Sequence, residues 1–321
     1  MAQSLFITLK NQHPNCTIDV VAPEWSLPML ERMDEVNKTI ALPIAHGNFS
    51  FGTRRRIGKE LSSIDYSHAI IIPRSFKSAL VPFFANTKQR IGYRGEMRYG
   101  LLNDIRPLNK KVLTQTVQRY VALGLDRNSP LPPKTPFPKL RVDRENQQRV
   151  LQKLHLNLER PVIGFMPGAE YGPAKQWPTS YYGKLAQRLA EKGYQIWIFG
   201  SKKDQEVTDK IKNIGGGSVT NLAGRTELVD VVDLLALCKL TVCNDSGLMH
   251  VAAAVDCPLV AIYGSSTPDY TPPLTEKAEI CYLNLNCSPC FKRECPLGHF
   301  NCLKDISVDS VYDASKRIEK R

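Results

Sequence analysis

The chain has 321 residues, of which 42% are hydrophobic and 23% charged, and this composition and length are typical of a globular protein with two domains. No apolar run approaches the roughly 18 to 20 residues that span a bilayer, and no secretory leader opens the sequence, which argues against a membrane-spanning or secreted protein and predicts a cytoplasmic one. The net charge of +12 indicates an anionic partner, either nucleic acid or phosphorylated lipid at a membrane face.

Short buried strands alternate with helices in the first half of the chain. Segment 97–106 is predicted to be a loop and segment 112–123 a helix. The stretch 126–138 then breaks all periodicity with five prolines, so a linker is predicted over 126–140, between a first domain at 1–125 and a second at 141–321. The strands are predicted at 17–21, 39–42, 69–72 and 89–92.

The same alternation resumes after the linker. Strands separated by helices imply right-handed crossovers and a parallel sheet, so the sequence predicts an α/β protein with two Rossmann-like halves. In such sheets the ligand lies at the carboxyl ends of the strands. The last helix is expected to pack back on the first domain. Strands are predicted at 162–165, 195–199, 240–243 and 259–263, and helices at 180–192, 204–214, 228–238 and 247–255.

Two loops in the second half have the character of phosphate-binding turns. One is Asn244-Asp-Ser-Gly247, where a buried strand ends and a helix of small residues begins. Free backbone N–H groups and the positive end of the helix dipole converge there and suit a diphosphate, although an ordinary capped helix has the same pattern. The other loop, 167–178, carries Lys175 just before a helix, where it either neutralises a phosphate or remains a solvated lysine.

Four sequence words carry a resemblance that covers most of the chain. The sequence resembles the lipopolysaccharide heptosyltransferases, the ADP-heptose-dependent inverting glycosyltransferases of family 9 with the GT-B fold, and within them the type II members. The first two words occur in the second half and the last two, which favour type II over type I, in the first half. They are Pro167-Gly-Ala-Glu-Tyr-Gly-Pro-Ala-Lys-Gln-Trp-Pro178, Asn244-Asp-Ser-Gly-Leu-Met-His250, Ser75-Phe-Lys-Ser-Ala-Leu-Val-Pro-Phe-Phe84 and Tyr93-Arg-Gly-Glu-Met-Arg-Tyr-Gly-Leu-Leu-Asn-Asp104.

The resemblance implies that the second domain binds ADP-heptose without a catalytic metal. Lys175 and the amides at Ser246 and Gly247 would hold the diphosphate, and Ser201 and Thr226 would lie near the nucleoside. Asp245 is expected to cap its helix or to accept from a sugar hydroxyl, because two negative charges facing each other repel. Taken alone, His250 fits a structural position on its helix better than a ligand-binding one. The implied donor-binding residues are Gly168, Lys175, Ser201, Thr226, Asp245, Ser246, Gly247, Leu248 and His250.

By the same resemblance, the basic first half faces a heptosyl-Kdo2-lipid A acceptor at the inner face of the cytoplasmic membrane. Few aromatic residues are interleaved with its cations, unlike a groove for single-stranded nucleic acid, so no nucleic-acid partner is predicted. A solvated helix face remains the alternative for each arginine. The candidate acceptor-binding residues are Arg55, Lys77, Arg94 and Arg98.

The general base is where the sequence departs from the family. The resemblance implies a first strand and a Gly-rich turn bearing an aspartate base before the helix that here begins near Met1. That strand and turn are not in the sequence. The expectation is therefore either a true start upstream of Met1 or an impaired form, and the nearest substitute carboxylates are Asp104 and Glu96.

Cysteine spacing raises a separate question. Cys287, Cys290, Cys295 and Cys302 follow one another closely, with His299 inside the run. The spacing is compatible with a structural zinc or iron–sulfur site, with reduced thiols or with a disulfide, although it departs from paired C-x2-C ribbons and a cytoplasmic setting disfavours stable disulfides.

Three other functions remain open from the sequence. A heptosyltransferase of type I or III has the same general pattern. A non-catalytic nucleic-acid-binding protein would explain the charge but leaves both phosphate-type loops unused. A nicotinamide-dependent dehydrogenase would explain the Rossmann-like halves, but no G-x-G-x-x-G follows a strand.

Overall fold

Parallel strands flanked by helices form both halves of the molecule. The computed structural model describes residues 1–45 and 47–320. Its contacts divide the chain after Pro136, within the segment predicted as the linker. Among the described residues, none of the helices combines the length and apolarity needed to cross a bilayer.

The N-terminal unit contains two small parallel sheets. Strand β1 pairs with β2, and β3 pairs with β4, which pairs with β5. Its elements are α1 (Ala2–Gln12), β1 (Asp19–Ala22), α2 (Leu27–Leu30), β2 (Lys38–Ala41), α3 (Phe51–Leu61), β3 (His68–Ile71), α4 (Leu80–Phe84), β4 (Gln89–Tyr93), β5 (Asp104–Arg106) and α5 (Thr116–Gly124).

Helix α1 joins these two sheets through one apolar cluster. Leu5 and Phe6 of α1 are buried, and Val20 of β1 and Ile70 of β3 pack against the same group. In the part of the chain that the structure describes, no strand lies between β1 and β3. Val21 of β1 is 36% exposed, whereas β6 and β9 of the other unit are buried along their whole length.

The C-terminal unit is a six-stranded parallel sheet of order β11-β10-β9-β6-β7-β8. Every residue of β6, β7, β9 and β10 is buried, so the sheet has a continuous apolar centre. The unit contains α6 (Arg144–Lys153), β6 (Val162–Met166), α7 (Thr179–Ala190), β7 (Gln195–Ile198), α8 (Gln205–Gly215), β8 (Val219–Asn221), α9 (Leu228–Leu235), β9 (Leu240–Asn244), α10 (Gly247–Ala254), β10 (Leu259–Ile262), β11 (Ala278–Cys281), α11 (Asn301–Lys304) and α12 (Val308–Glu319).

The predicted α/β fold with parallel sheets is confirmed, and three local predictions are corrected. Strand β5 occupies the end of the predicted loop 97–106, and α5 begins at Thr116 rather than at residue 112. The short strands β8 and β11 and helix α6 were not predicted. The last helix, α12, contributes Val311, Ala314 and Ile318 to the core of the C-terminal unit, and its packing on the first domain stays a prediction.

Candidate functional site

The carboxyl ends of three neighbouring strands define the candidate site. In register, Met166 of β6 lies beside Cys243 of β9, and Asn244 of β9 lies beside Ile262 of β10. The segments that follow these strands therefore emerge at one edge of the sheet, which is where parallel α/β sheets bind ligands. We call residues 167–178, which follow β6, the Lys175 loop.

Asn244, the last residue of β9, fastens the Lys175 loop to the sheet. Its amide nitrogen donates to the carbonyl of Pro167 at 2.6 Å, and its amide oxygen accepts from the backbone N–H of Trp177 at 3.1 Å. The same oxygen accepts from the Tyr182 hydroxyl at 3.2 Å. Because Asn244 is fully buried, these bonds have no water to replace them, and both ends of the loop are fixed.

Lys175 points from this loop to Asp245, with which it forms an ion pair. The Lys175 side chain is 18% exposed and the Asp245 side chain only 5%. Asp245 also accepts from the hydroxyls of Ser266, at 2.5 Å, and Thr271, at 3.4 Å. An ammonium has three donors, so the ion pair orients Lys175 and leaves donors for a second anion.

The hydrogen bonds of Asp245 contradict one of its two predicted roles, the helix cap, while acceptance from a sugar hydroxyl stays a prediction. Its side chain makes no capping hydrogen bond to α10, whose N-cap residue is Ser246. The carboxylate instead accepts from three donors, which are the Lys175 ammonium and, after β10, the hydroxyls of Ser266 and Thr271. It is thus a residue that positions the lysine.

The N-terminus of α10 presents its first amides next to this ion pair. Ser246 has extended backbone angles and its side chain does not cap the helix. Gly247 is exposed, and a Cβ built on it would meet no atom within 4 Å. The backbone is therefore open to close approach by a ligand, and the helix dipole favours a negatively charged one.

We expect Gly247→Ala to fold normally but to bind ADP about tenfold more weakly, because the added methyl fills space that a phosphate would occupy. The backbone of Gly247 is not in the left-handed region, and alanine is the better helix former. Gly217→Ala is the matched control, since its Cβ also meets nothing within 4 Å. Calorimetric titration with ADP checks the affinity, and equal affinities in all three proteins would contradict a ligand at this helix end.

His250 and Leu248 lie on the first turns of α10 and are both partly buried. The Nδ1 atom of His250 is buried and has no hydrogen-bond partner in the described structure. Burial lowers the pKa of His250 to about 4, so the ring is neutral near pH 7. A neutral ring with a free nitrogen suits a hydrogen bond to a ligand better than it suits charge neutralisation.

The other predicted donor contacts lie at the ends of the neighbouring strands. The Ser201 hydroxyl, just after β7, donates to Asp204 at 2.7 Å, and the Thr226 hydroxyl lies 3.5 Å from the Leu222 carbonyl. Gly168 faces Asp204 so closely that a Cβ would lie 2.8 Å from its carboxylate. The first turn of the Lys175 loop therefore packs closely against Asp204 in the segment after β7.

Sequence reasoning missed the segment that follows β10. Ser265, Ser266 and Thr267 are all buried, and the Ser265 hydroxyl has no partner among the described residues. Ser266 and Thr271 hold Asp245, as described above. The signal was present, because Gly264-Ser-Ser-Thr267 follows a fully buried strand just as Asn244-Asp-Ser-Gly247 does.

Three of the four predicted acceptor residues are accessible in the N-terminal unit. Arg55 on α3 and Arg94 after β4 are exposed, and Lys77 is partly exposed, with its ammonium donating to the Asn48 carbonyl at 3.2 Å. Arg98 is the exception and corrects the prediction. It is 2% exposed and donates to the carbonyls of Pro73, at 2.8 Å, and Tyr93.

The two substitute carboxylates are both engaged. Asp104 pairs with Arg106 at 2.9 Å within β5 and is 12% exposed. Glu96 accepts from the backbone N–H of Phe76 at 2.6 Å. The Glu96 hydrogen bond joins the segments after β3 and β4, whereas the second carboxylate oxygen of Asp104, Oδ1, is buried without a hydrogen-bond partner among the described residues. A role for either carboxylate as the base stays a prediction.

The four clustered cysteines line one small cavity, together with His299. All of them are free thiols. Within residues 1–45 and 47–320, however, no group of three or more His, Cys, Asp or Glu side chains is arranged to hold a metal ion. The predicted zinc or iron–sulfur site is therefore not supported.

The amino-acid sequence is similar to those of known proteins. The profile of glycosyltransferase family 9 (heptosyltransferase) matches residues 54–301. The chain is 47% identical to lipopolysaccharide heptosyltransferase 2 of Salmonella typhimurium, over 98% of this chain and 92% of that protein. It is 49% identical to lipooligosaccharide heptosyltransferase 2 of Haemophilus influenzae, over 88% of this chain and 84% of the relative.

A solved structure agrees with these relatives. The structure of E. coli ADP-heptose LPS heptosyltransferase II superposes with a TM-score of 0.87 at 42% identity, covering 99% of this chain and 94% of that one. The superposed residues include both units, and with them the Lys175 loop and Asn244 at the end of β9.

Proposed function

This chain belongs to glycosyltransferase family 9, the heptosyltransferases, and from that membership we propose that it moves a heptose from ADP-L-glycero-D-manno-heptose, with inversion, to the first heptose of heptosyl-Kdo2-lipid A. The names of its relatives, heptosyltransferase 2 acting on lipopolysaccharide or lipooligosaccharide, support this acceptor over the earlier or later steps of core assembly. The name of the E. coli structure supports ADP-heptose as the donor.

One observation carries the proposal. Lys175 is held by Asp245 beside the open N-terminus of α10, so that a cation and several backbone amides converge on one small space. A pyrophosphate has the charge and the acceptor oxygens to use both. The donor would thereby be held through the diphosphate of ADP.

Transfer forms a bond from the acceptor hydroxyl oxygen to the heptose anomeric carbon while the bond from that carbon to the ADP oxygen breaks. Negative charge accumulates on the departing ADP and positive charge on the sugar carbon. Lys175 and the amides of α10 stabilise the former, and stabilisation that grows in the transition state is what raises the rate. The acceptor hydroxyl gives its proton to a general base as the new bond forms.

The accessible cations of the N-terminal unit are proposed to bind the acceptor. Arg55, Lys77 and Arg94 would contact the carboxylates and phosphates of the Kdo-lipid A core. The lipid portion would keep the protein at the inner face of the cytoplasmic membrane. Screening by salt should weaken acceptor binding more than donor binding, because the acceptor-binding cations are exposed.

We propose that catalysis needs no metal ion, because Lys175 occupies the place where a cation must neutralise the diphosphate. The expected result is an unchanged initial rate, within about twofold, after dialysis against EDTA and in assays with added EDTA. Addition of Mg²⁺ serves as the control. A rate that collapses in EDTA and recovers with Mg²⁺ would show that a metal shares the work of Lys175.

The acceptor assignment is tested with purified lipids. Heptosyl-Kdo2-lipid A and Kdo2-lipid A are incubated with ADP-heptose, and mass spectrometry follows the gain of one heptosyl unit. We expect transfer to the first lipid only, and the anomeric configuration of the product, read by NMR, to be opposite to that of the donor. Transfer to Kdo2-lipid A instead would assign a type I activity, and binding of ADP without transfer to either would indicate an impaired form.

A further inference from the structure

The positive charge of the proposed donor site is smaller than a diphosphate needs. Lys175 is paired with the buried carboxylate of Asp245, so this ion pair contributes no net charge. Burial lowers the pKa of His250 to about 4, and its ring is therefore neutral near pH 7. The N-terminus of α10 adds only about half an elementary charge. The diphosphate of a nucleotide sugar carries two negative charges, so a further cation is needed beside Lys175.

Arg293 has an unpaired positive charge next to the Lys175 loop. Its guanidinium carbon lies 5.5 Å from the centre of the Tyr171 ring, and the Lys175 ammonium lies 5.2 Å from the same centre. Arg293 is exposed, and in the part of the chain that the structure describes no carboxylate pairs with it. An aromatic ring attracts a cation without neutralising it, so the charge of Arg293 remains available to a ligand.

The backbone of Arg293 is fixed to the Lys175 loop. The Ala174 N–H donates to the Arg293 carbonyl at 3.0 Å. At Gly172, a Cβ would lie 2.5 Å from the same carbonyl, so the two segments touch without room between them. Arg293 therefore starts from a defined position beside Lys175, and only its side chain has to adjust to a ligand.

The location of this segment on the sheet indicates which phosphate Arg293 faces. The Phe291 N–H donates to the carbonyl of Ser265, which follows β10, at 2.7 Å. Strand β10 lies on one side of β9, whereas β6, β7 and β8 lie on the other. Ser201 and Thr226, which are proposed to lie near the nucleoside, follow β7 and β8. Arg293 is therefore on the side away from the nucleoside, where the sugar-bearing phosphate would lie.

We propose that Arg293 is a second phosphate-binding cation of the donor site and that it holds the sugar-bearing phosphate of ADP-heptose. This assignment rests on the proposed function. During transfer the bond from the anomeric carbon to an oxygen of this phosphate breaks, and its electron pair stays on the departing ADP. The acceptor oxygen bonds to the carbon and gives its proton to a general base. Arg293 thus faces the phosphate on which negative charge grows.

Calorimetric titration of the full-length chain with ADP and with AMP tests the contact. AMP lacks the phosphate that bears the sugar in ADP-heptose. We expect Arg293→Ala to bind ADP about tenfold more weakly than the parent, and AMP within about twofold of it. Arg293→Lys keeps a charge without the planar fork and should recover part of the loss. Lys292→Ala, which removes the neighbouring exposed cation, should bind both nucleotides as the parent does.

The transfer reaction gives a second readout. We expect Arg293→Ala to lower kcat by about tenfold while the KM for the lipid acceptor stays within about twofold. A raised KM for the acceptor with an unchanged kcat would place Arg293 against the lipid instead and would overturn the assignment.

Two binding results would also overturn it. The first is an Arg293→Ala chain that binds ADP as tightly as the parent. The second is an equal loss of affinity for ADP and AMP, which is the result expected if the substitution only displaces the Lys175 loop. A parent chain that does not bind ADP at all would refute the donor site itself, so the failure of the proposed function is distinguishable from that of the Arg293 contact.

Discussion

Lys175→Ala should lower the rate of heptosyl transfer by about 10²- to 10³-fold, the usual cost of removing one group that stabilises transition-state charge. Lys175 lies at the carboxyl ends of β6 and β9, where it pairs with Asp245, which is almost fully buried. Its removal leaves the departing ADP without this charge. The measurement is kcat/KM for ADP-heptose, together with the Kd of ADP by calorimetry.

Two variants separate loss of this charge from loss of structure. Lys203→Ala removes an exposed lysine, paired with Glu170 on the Lys175 loop, and should change the rate by less than about twofold. Lys175→Ala with Asp245→Asn avoids leaving a buried carboxylate unpaired, which is the main risk to folding in the single variant. A folded double variant that transfers heptose at the parental rate would show that Lys175 does not contact the diphosphate.

Much of the fold was predictable because its signals are local. The strands at 162–165 and 240–243 are runs of apolar residues, and the structure contains β6 and β9 there, each extended by one residue. Helix α5 was predicted four residues too early. Gln115 and Gln118 form a capping box that begins the helix at Thr116, and the Arg119 side chain donates to the Leu113 carbonyl, so the preceding residues form a turn.

Contacts between side chains that are distant in the sequence were not predictable. Asp245 and Ser266 meet across two adjacent strands, 21 residues apart, and Lys175 reaches Asp245 over 70 residues. Composition cannot reveal that a carboxylate after a strand will bind a lysine rather than cap the next helix. That choice depends on the register of β6, β9 and β10, which long-range pairing sets.

Arg98 shows the same limit in the N-terminal unit. It lies in a basic segment and was predicted to bind the acceptor. Its guanidinium donates instead to the carbonyl of Pro73, after β3, to that of Tyr93, the last residue of β4, and to the Ser78 hydroxyl. Burial lowers the pKa of Arg98, although the group stays charged. A guanidinium has five donors and can hold several free carbonyls at once, so strand ends that lack partners recruit it.

Asn244→Ala should lower the free energy of unfolding of the C-terminal unit by about 3–5 kcal/mol. The substitution leaves three buried polar groups without their hydrogen-bond partner, namely the Pro167 carbonyl, the Trp177 N–H and the Tyr182 hydroxyl. Urea unfolding followed by tryptophan fluorescence measures this, since Trp177 and Trp197 are buried in that unit. The freed Lys175 loop should also lose affinity for ADP. A loss in stability without a loss in affinity would mean that Asn244 does not position the lysine.

Asn221→Ala is the matched control, because Asn221 also ends a strand and makes three hydrogen bonds, to Thr208, Asp209 and the N–H of Ala223. It is partly exposed, so water can replace its amide, and we expect a loss of about 1 kcal/mol or less. Asn244→Asp keeps the acceptor for Trp177 but removes the donor to Pro167 and places a second negative charge beside Asp245. If burial decides the cost, Asn244→Ala and Asn244→Asp should both exceed Asn221→Ala several-fold, and equal costs at the two asparagines would refute that account.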